Sequence, residues 1–326
     1  MHPKLKHLLH VPFTGLGLYH GFRGNRWLRN RVKIFKQFVI PSLQAQTSQD
    51  FIVWFAFRRE ERNNPIVKEL ERYMATTGLD YVFTYAGICF YDDKYSETEA
   101  RLRLIDSIHQ STAHLFDKIG ECDYVLMTIQ PSDDCYDRKA MEAIQKVFRE
   151  TNLEGVGFPR GYIMNYQSKE VSEYNPNTNP PFYTIKFPRD TFFDPLKHYA
   201  FTALKKDVGK YKKGTACPSH EYVPDCVKYG TIDARGFLVG CHGENVSTYY
   251  DHPFKGKEIV NFIGGEGNHL AQMDKELVLK NFGLENVQPL KLKWSIRKWI
   301  LKKMPHPVRR KLRYLWGEKV YNWIRA

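Results

Sequence analysis

The sequence lacks any apolar run long enough to cross a membrane. Its 326 residues contain no stretch of about 18 or more uncharged apolar residues, which excludes an ordinary transmembrane helix. The first ten residues carry Lys4 and Lys6 beside a short apolar stretch without a small-residue cleavage site, so we expect no secretory signal. These absences favour a cytoplasmic protein.

Cysteine pairs at metal-binding spacing are also absent. The chain has six cysteines but no CxxC pair. Cys217, His220, Cys226 and Cys241 match the spacing of no common zinc finger or ribbon, so we do not expect structural zinc. Reduced thiols are favoured over disulfides because the chain is long and no secretory signal is expected.

Glycine motifs that bind phosphate are incomplete. Gly15-Leu16-Gly17 does not continue into GxGxxG, and residues 262–267 (FIGGEG) are not followed by Lys-Ser or Lys-Thr. We therefore expect neither a Rossmann cofactor nor a P-loop.

Acidic residues are scarce at the C-terminal end. Residues 290–326 contain twelve Lys and Arg against the single acid Glu318, a net charge of +11. The whole chain carries +13, so the remainder carries only +2. A basic nucleic-acid-binding domain would more often distribute such charge over its folded body.

The same C-terminal segment holds four of the six tryptophans. Apolar residues recur at helical spacing on both sides of Pro305 and Pro307, which predicts two amphipathic helices with a proline hinge. Basic faces opposite Trp and Leu suit an anionic membrane surface. Two alternatives stay open: a helix pair packed on the body, and a nucleic-acid contact.

The first half of the chain alternates strand-like and helix-like segments, without internal repeats. The predicted strands are 8–14, 51–57, 81–85 and 123–130, and the predicted helices are 31–46, 65–77, 97–118 and 137–149. Such alternation predicts an α/β fold with a largely parallel sheet and helices on both faces. From Gly155 onward shorter polar strands and a loop at 175–181 predict an α+β continuation.

Two adjacent carboxylates follow the fourth predicted strand, in the segment Pro131-Ser132-Asp133-Asp134. Ligands of an open parallel sheet bind beyond the carboxyl ends of its strands. Paired carboxylates at that edge suit a divalent cation, Mg²⁺ or Mn²⁺, which would neutralise phosphates. The alternative is an ordinary turn with Asp near a helix cap.

Four segments in the same order resemble the rhamnosyltransferase-like family of GT-A fold glycosyltransferases, over residues 8 to 255. Residues 31–51 (RVKIFKQFVIPSLQAQTSQDF) resemble its helix and the following "PS..aQt..dF" pattern, and 124–136 (YVLMTIQPSDDCY) resemble its strand ending in "RLDsDDa". Residues 154–162 (EGVGFPRGY) and 242–247 (HGENVS) resemble two later elements.

The resemblance implies a divalent metal, Mn²⁺ or Mg²⁺, held by Asp134 first, then Asp133, with His242 as a late-chain ligand. An ordinary loop histidine is an equal interpretation of His242. One departure stands out: Pro131 occupies the position of the family's first Asp, which removes that acid's contact with ribose. Altered donor choice, weaker metal binding or an inactive member would each follow from this change.

Sugar transfer also needs a base and donor contacts. The resemblance and the chain order suggest Glu221 as the base, with His220 second, although a solvated loop carboxylate is an equal interpretation. Arg58, Arg101 and Arg103 are candidates for the donor phosphates, together with Asp133; each Arg is otherwise an ordinary surface residue.

The sequence thus predicts a GT-A-like glycosyltransferase of the hexosyl or rhamnosyl class, with three parts. Residues 1–150 form the nucleotide-sugar-binding half, 151–285 the acceptor half, and 286–326 a basic helical tail that attaches the protein to the inner face of a membrane. The expected partners are a nucleotide-sugar donor and a glycan or lipid-linked acceptor, with no specific nucleic acid. The alternatives are a catalytically degenerate scaffold or membrane-binding protein and, third, a protein that binds nucleic acid through its tail.

Overall fold

The structure is a computed structural model that describes residues 3–14, 16–17, 24–89, 95–216, 218–242, 265–266, 270 and 272–292. Most of the basic tail and of the 242–247 segment therefore lie outside the described residues, and only His242 of that segment lies within them. Within the described ranges, no helix has both the length and the hydrophobicity that crossing a bilayer requires.

Thirteen strands are described: β1 (Leu5–Val11), β2 (Leu16–Gly17), β3 (Ile52–Arg58), β4 (Tyr81–Cys89), β5 (Tyr124–Ile129), β6 (Cys135–Tyr136), β7 (Gly155–Gly157), β8 (Arg160–Asn165), β9 (Val171–Pro176), β10 (Tyr183–Pro188), β11 (Tyr229–Thr231), β12 (Arg235–Cys241) and β13 (Gly265–Glu266). The described α-helices are α1 (Asn25–Ile34), α2 (Ile40–Gln44), α3 (Pro65–Met74), α4 (Glu97–Ala113), α5 (Phe116–Ile119), α6 (Ala140–Glu150), α7 (Arg189–Phe193), α8 (Pro195–Phe201) and α9 (Gln272–Asn281). A π-helix, Phe35–Val39, joins α1 to α2, and 3-10 helices cover Arg59–Glu61 and His220–Asp225.

The larger sheet has eight strands in the order β11-β7-β10-β5-β1-β3-β4-β2. Every neighbouring pair is parallel except the two that β10 makes with β5 and β7. Because β10 alone runs in the opposite direction, the carboxyl ends of the other strands share one edge of the sheet. We call this edge, with the loops that leave it, the carboxyl edge.

A second sheet of five strands has the order β13-β9-β8-β12-β6. Its strand β6 begins at Cys135, only six residues after β5 ends at Ile129. The segment between them, residues 130–134, therefore joins the centre of the larger sheet to an end of the smaller one.

Helices cover both faces of the larger sheet, as the alternating segments predict. One hydrophobic cluster buries residues of α1, α3 and α6, for example Leu28, Leu70 and Ile144, against one face. A second cluster, with Leu115 and Phe192, covers the other face. Strand β3 is buried on both sides, since Ile52 and Trp54 join one cluster and Val53 and Phe55 the other. The α/β prediction with a central sheet between helices is confirmed.

Local sequence signals explain where several helices begin. The side chain of Asn64 accepts a hydrogen bond from the backbone N–H of Ile66 at 2.9 Å, and Pro65 supplies the preset φ angle of a first helical residue. Ser96 and Glu99 form a reciprocal capping box at the start of α4. These contacts fix the two helices that flank β4.

The structure corrects several predicted boundaries. The helix predicted over 31–46 begins earlier, at Asn25, and the predicted helix over 97–118 is divided between α4 and α5. Strand β9 extends to Pro176, so the loop predicted over 175–181 begins later. Asp137 accepts a bond from the Lys139 N–H at 2.9 Å, but α6 begins only at Ala140. Strand β10 is antiparallel, which the alternation rule does not foresee.

Four of the described histidines are buried: His7, His10 and His198 in the body, and His242 after β12. His10 stacks on Trp54 with ring centroids 4.0 Å apart, and neither of its ring nitrogens has a hydrogen-bond partner among the described residues. Burial lowers the pKa of His7 and of His10 from 6.5 to about 3, and that of His198 to about 4. Charge on Arg149 lowers the pKa of His7 further, because like charges repel.

The three histidines of the body make stability depend on pH. Below about pH 6.5 they bind protons in the unfolded chain but stay neutral in the folded one, so the free energy of unfolding falls as the pH decreases toward about 4. The His10→Phe variant removes one such group. Between pH 7 and pH 5.5 we expect the free energy of unfolding of this variant, measured in urea, to fall by about 1 kcal/mol less than that of the wild type.

The control is His109→Gln, which replaces an exposed histidine of α4 and separates the effect of burial from that of losing any histidine. An equal slope in wild type and His10→Phe would contradict the assignment of His10 as a buried neutral group.

Candidate functional site

The acidic corner, residues 131–134, lies at the carboxyl end of β5 where the chain passes from one sheet to the other. Gln130 closes the turn, because its Nε2 donates to the carbonyl of Asp134 at 2.8 Å. The Tyr136 hydroxyl donates back to the carbonyl of Ile129 at 2.7 Å. The corner is therefore held from both of its ends.

Asp133 binds two groups through one oxygen atom. Its Oδ2 pairs with Nη1 of Arg31 on α1 and with Nε2 of His242, which follows β12, at 2.9 Å. Burial by itself would raise the pKa of Asp133, but Arg31 and His242 more than offset it and lower that pKa well below its usual range. Asp133 is thus a carboxylate, and the His242 Nε2 that faces it carries the proton of their hydrogen bond.

Asp134 lies in a different environment. Its Oδ1 accepts a hydrogen bond from the backbone N–H of Gly240 at 2.8 Å, and the residue is buried. Burial and the neighbouring charge of Asp133 raise the pKa of Asp134 well above its usual value, although Gly240 and Arg31 act in the opposite direction. The pKa values of the two adjacent acids therefore shift in opposite directions, because Arg31 pairs directly with Asp133, whereas Asp134 accepts its hydrogen bond from a neutral backbone N–H.

Aromatic rings support the corner from behind. Phe38 of the π-helix stacks on Tyr166 with ring centroids 3.7 Å apart and planes 4° from parallel. The Tyr166 hydroxyl donates to the carbonyl of Asp133 at 2.8 Å. A π-helical turn alters the register of a helix. Here the π-helix places Phe38 against Tyr166, while Arg31, which lies one turn before the π-helix in α1, reaches Asp133.

Gly240 is required for this close approach. A Cβ atom at residue 240 would overlap both the Tyr166 ring and the backbone carbonyl of Asp133. The absence of a side chain lets β12 approach the corner closely enough for the Gly240 N–H to reach Asp134.

The predicted metal ligands are neighbours, but their contacts do not fit a metal ion. Oxygen and imidazole donors are the right types for Mn²⁺, yet Oδ2 of Asp133 already accepts from a guanidinium and an imidazole. The nitrogen of His242 that faces the site donates to that oxygen. Across the described part of the chain, no three His, Cys, Asp or Glu side chains are arranged to hold a metal ion. The Mn²⁺ or Mg²⁺ assignment stays a prediction from the sequence.

Of the two predicted base residues, His220 contacts a loop of the carboxyl edge. Strand β10 begins beside the carboxyl end of β5, because Thr184 lies opposite Thr128. The loop that precedes β10 therefore belongs to the carboxyl edge. In that loop Asn179 donates through Nδ2 to the carbonyl of His220 at 2.8 Å. Burial lowers the pKa of His220, while Asn179 and Glu221 raise it by less. Glu221 follows directly and is half-buried.

The predicted donor arginines occupy separate positions. Arg58 ends β3 at the carboxyl edge, and its Nε donates to the carbonyl of Thr14 at 3.2 Å. Arg101 and Arg103 are exposed near the start of α4, where their guanidinium groups lie 5.5 and 4.0 Å from the ring centroids of Tyr199 and Tyr95. Their role toward phosphate stays a prediction.

Sequence reasoning missed Arg31, Tyr166 and Gly240. A signal for Arg31 is present, because it stands four residues after Trp27 and four before Phe35, both of them buried. A charged residue on the apolar stripe of a helix points to a buried partner. Tyr166 and Gly240 carry no comparable signal.

No protein-family model matches the chain, and no curated protein matches it. Among solved structures it is similar to S. aureus TarS. With TarS 1-349 the identity is 10% and the TM-score 0.34, over 73% of this chain and 60% of that one. With another TarS structure the identity is 12% and the TM-score 0.35, over 99% of this chain and 55% of that one. With TarS 1-349 in complex with UDP-GlcNAc the identity is 12% and the TM-score 0.35, over 99% of this chain and 90% of that one. The chain thus spans somewhat more than half of the first two TarS chains.

Substituting Gly240→Ala should loosen the corner. The new methyl group meets backbone as well as a packed ring, so we expect the free energy of unfolding to fall by about 1–3 kcal/mol in urea unfolding. Gly230→Ala on β11 is the matched control, because its Cβ would meet only the flexible end of the Leu153 side chain. Equal losses in the two variants would contradict the close approach described here.

Proposed function

We propose that this protein is a glycosyltransferase that transfers a sugar from a nucleotide-sugar donor. The observation that carries the proposal is the acidic corner, a rigid pair of carboxyl groups at the carboxyl end of the central strand β5. In open parallel sheets this edge is where ligands bind. The ordered resemblance of four segments to GT-A glycosyltransferases supports the same class.

The loops around the corner come from elements that are distant in sequence. Thr14 follows β1, Arg58 ends β3, residues 130–134 follow β5, and Asn179 precedes β10. His242 follows β12 and reaches the corner from the second sheet. Such convergence of polar groups on one edge is the usual arrangement of a ligand site between two sheets.

The chemistry assigns distinct tasks to these residues. In transfer, the acceptor hydroxyl attacks the anomeric carbon, the bond to the diphosphate breaks, and the nucleoside diphosphate leaves. If the reaction inverts configuration, a base must take the hydroxyl proton, and Glu221 is our candidate with His220 second. Arg58 is our first candidate for the leaving diphosphate, since guanidinium groups bind phosphate in a forked geometry, and Arg101 and Arg103 follow.

The finer assignments rest on the sequence. The hexosyl or rhamnosyl subclass follows from the resemblance alone, whereas a divalent metal is expected from the resemblance and from the paired carboxylates. The basic, tryptophan-rich tail supports an acceptor at an anionic membrane surface, either a glycan or a lipid-linked glycan. The three-part division, with a tail of surface helices, is part of this proposal.

A thermal-shift screen tests the donor class. UDP, GDP, dTDP and CMP are added separately to the full chain, with the matching nucleosides as controls. Because a ligand that binds only the folded state stabilises it, one nucleotide should raise the melting temperature; at a hundred times its dissociation constant the gain is about 2.7 kcal/mol. If no nucleotide shifts the melting temperature, a catalytically degenerate scaffold is favoured. Pro131, which stands in place of an acid, is the sequence feature that supports this alternative.

The base assignment is tested in the Glu221→Gln variant. We expect the transfer rate to fall by about 10²–10⁴-fold because the proton acceptor is lost, while the nucleotide-induced thermal shift is retained. Glu150→Gln, at the end of α6 and far from this loop in sequence, is the control and should keep the wild-type rate. Full activity of the Glu221→Gln variant would show that Glu221 is not the base, and His220 or another group would then be assigned the role.

A further inference from the structure

The acidic corner is already paired with a cation, the guanidinium of Arg31. Arg31 and Asp133 are both largely shielded from solvent, with side chains 4% and 15% exposed, and they pair directly. A carboxylate oxygen offers about two lone-pair directions, and Oδ2 of Asp133 directs them at Arg31 and at His242. Two of the three groups that the sequence assigns to a metal, Asp133 and His242, therefore bind each other, and Arg31 binds the same oxygen of Asp133.

A divalent ion at that oxygen would also meet a repulsive charge. Metal–oxygen distances of about 2.0–2.6 Å would bring the ion against the Arg31 guanidinium, in a site where burial weakens screening by water. The other acid has one of its two oxygens occupied, since Oδ1 of Asp134 accepts the Gly240 N–H. Displacing Arg31 would leave a buried unpaired charge, which is the costly state of any buried ion pair.

We propose that Arg31 serves as the internal cation of this site and that the protein binds its nucleotide without a divalent metal. This inference rests on the proposed function and refines it. The acidic corner then acts as a latch that joins α1, β12 and the end of β5. The charge of the diphosphate is met by arginine side chains of the carboxyl edge, with Arg58 first, rather than by an ion on Asp133 and Asp134.

The inference makes a prediction about Arg31→Met that a metal site would not. Methionine fills similar space in a helix but leaves Asp133 without its cation, so a divalent ion can now occupy that position. We expect Mn²⁺ alone to raise the melting temperature of Arg31→Met and to leave that of the wild type unchanged. Arg31→Met/Asp133→Asn should lose the Mn²⁺ effect, because the carboxylate that attracts the ion is gone.

Two further variants control the comparison. Lys36 lies in the π-helix that continues α1, and it pairs with Glu69 of α3. The Lys36→Met variant breaks this pair, and Mn²⁺ should not raise its melting temperature. Arg31→Lys keeps a cation and should behave as the wild type does, which preserves the test if Arg31→Met does not fold.

The nucleotide screen is then repeated on the wild type in EDTA and in Mn²⁺. Equal shifts in both buffers support the inference. A shift that requires Mn²⁺, or a wild type that Mn²⁺ alone stabilises, overturns the inference and leaves the glycosyltransferase proposal intact. No shift with any nucleotide in either buffer overturns the glycosyltransferase proposal, and the inference falls with it.

Discussion

The buried ion pair between Arg31 and Asp133 is the constraint on which the site depends. Two charges removed from water are stabilising only when each finds good partners, and here Arg31 and His242 together hold Asp133. The pair ties α1 to the carboxyl end of β5, and His242 adds the end of β12. One carboxylate thus adds directed contacts to three elements, whereas apolar packing between them has no direction of its own.

The rest of the corner follows from that attachment. Tyr166 fills the space behind it, stacked on Phe38, and its hydroxyl satisfies the carbonyl of Asp133. Only glycine at residue 240 lets β12 come close enough to donate to Asp134. Because these contacts are buried and nearly all paired, a change at any one of them disturbs its neighbours, and a site built this way is held rigid rather than assembled on binding.

Such rigidity suits electrostatic work on a charged leaving group. Groups that already point in the required direction need no reorganisation when charge develops, and a shielded site strengthens their effect. The same design explains how two adjacent aspartates can differ. Arg31 beside Asp133 holds the pKa of that carboxyl low, whereas burial and the charge of Asp133 raise the pKa of Asp134. Because Arg31 compensates the charge of Asp133, the glycosyltransferase we propose would present a less negative corner to a diphosphate than two unpaired carboxylates would.

The sequence by itself determined the α/β class, the buried strand β3, the starts of α3 and α4, and the location of the acids after β5. Each of these follows from short-range patterns: apolar periodicity, caps and the order of strands and helices. It did not determine that Asp133 meets Arg31, that the helix after Arg31 continues as a π-helix, or that β10 runs antiparallel. Those outcomes depend on which distant segments pack together. Only the tertiary structure could decide them, since the charge state of an acid is set by neighbours far away along the chain.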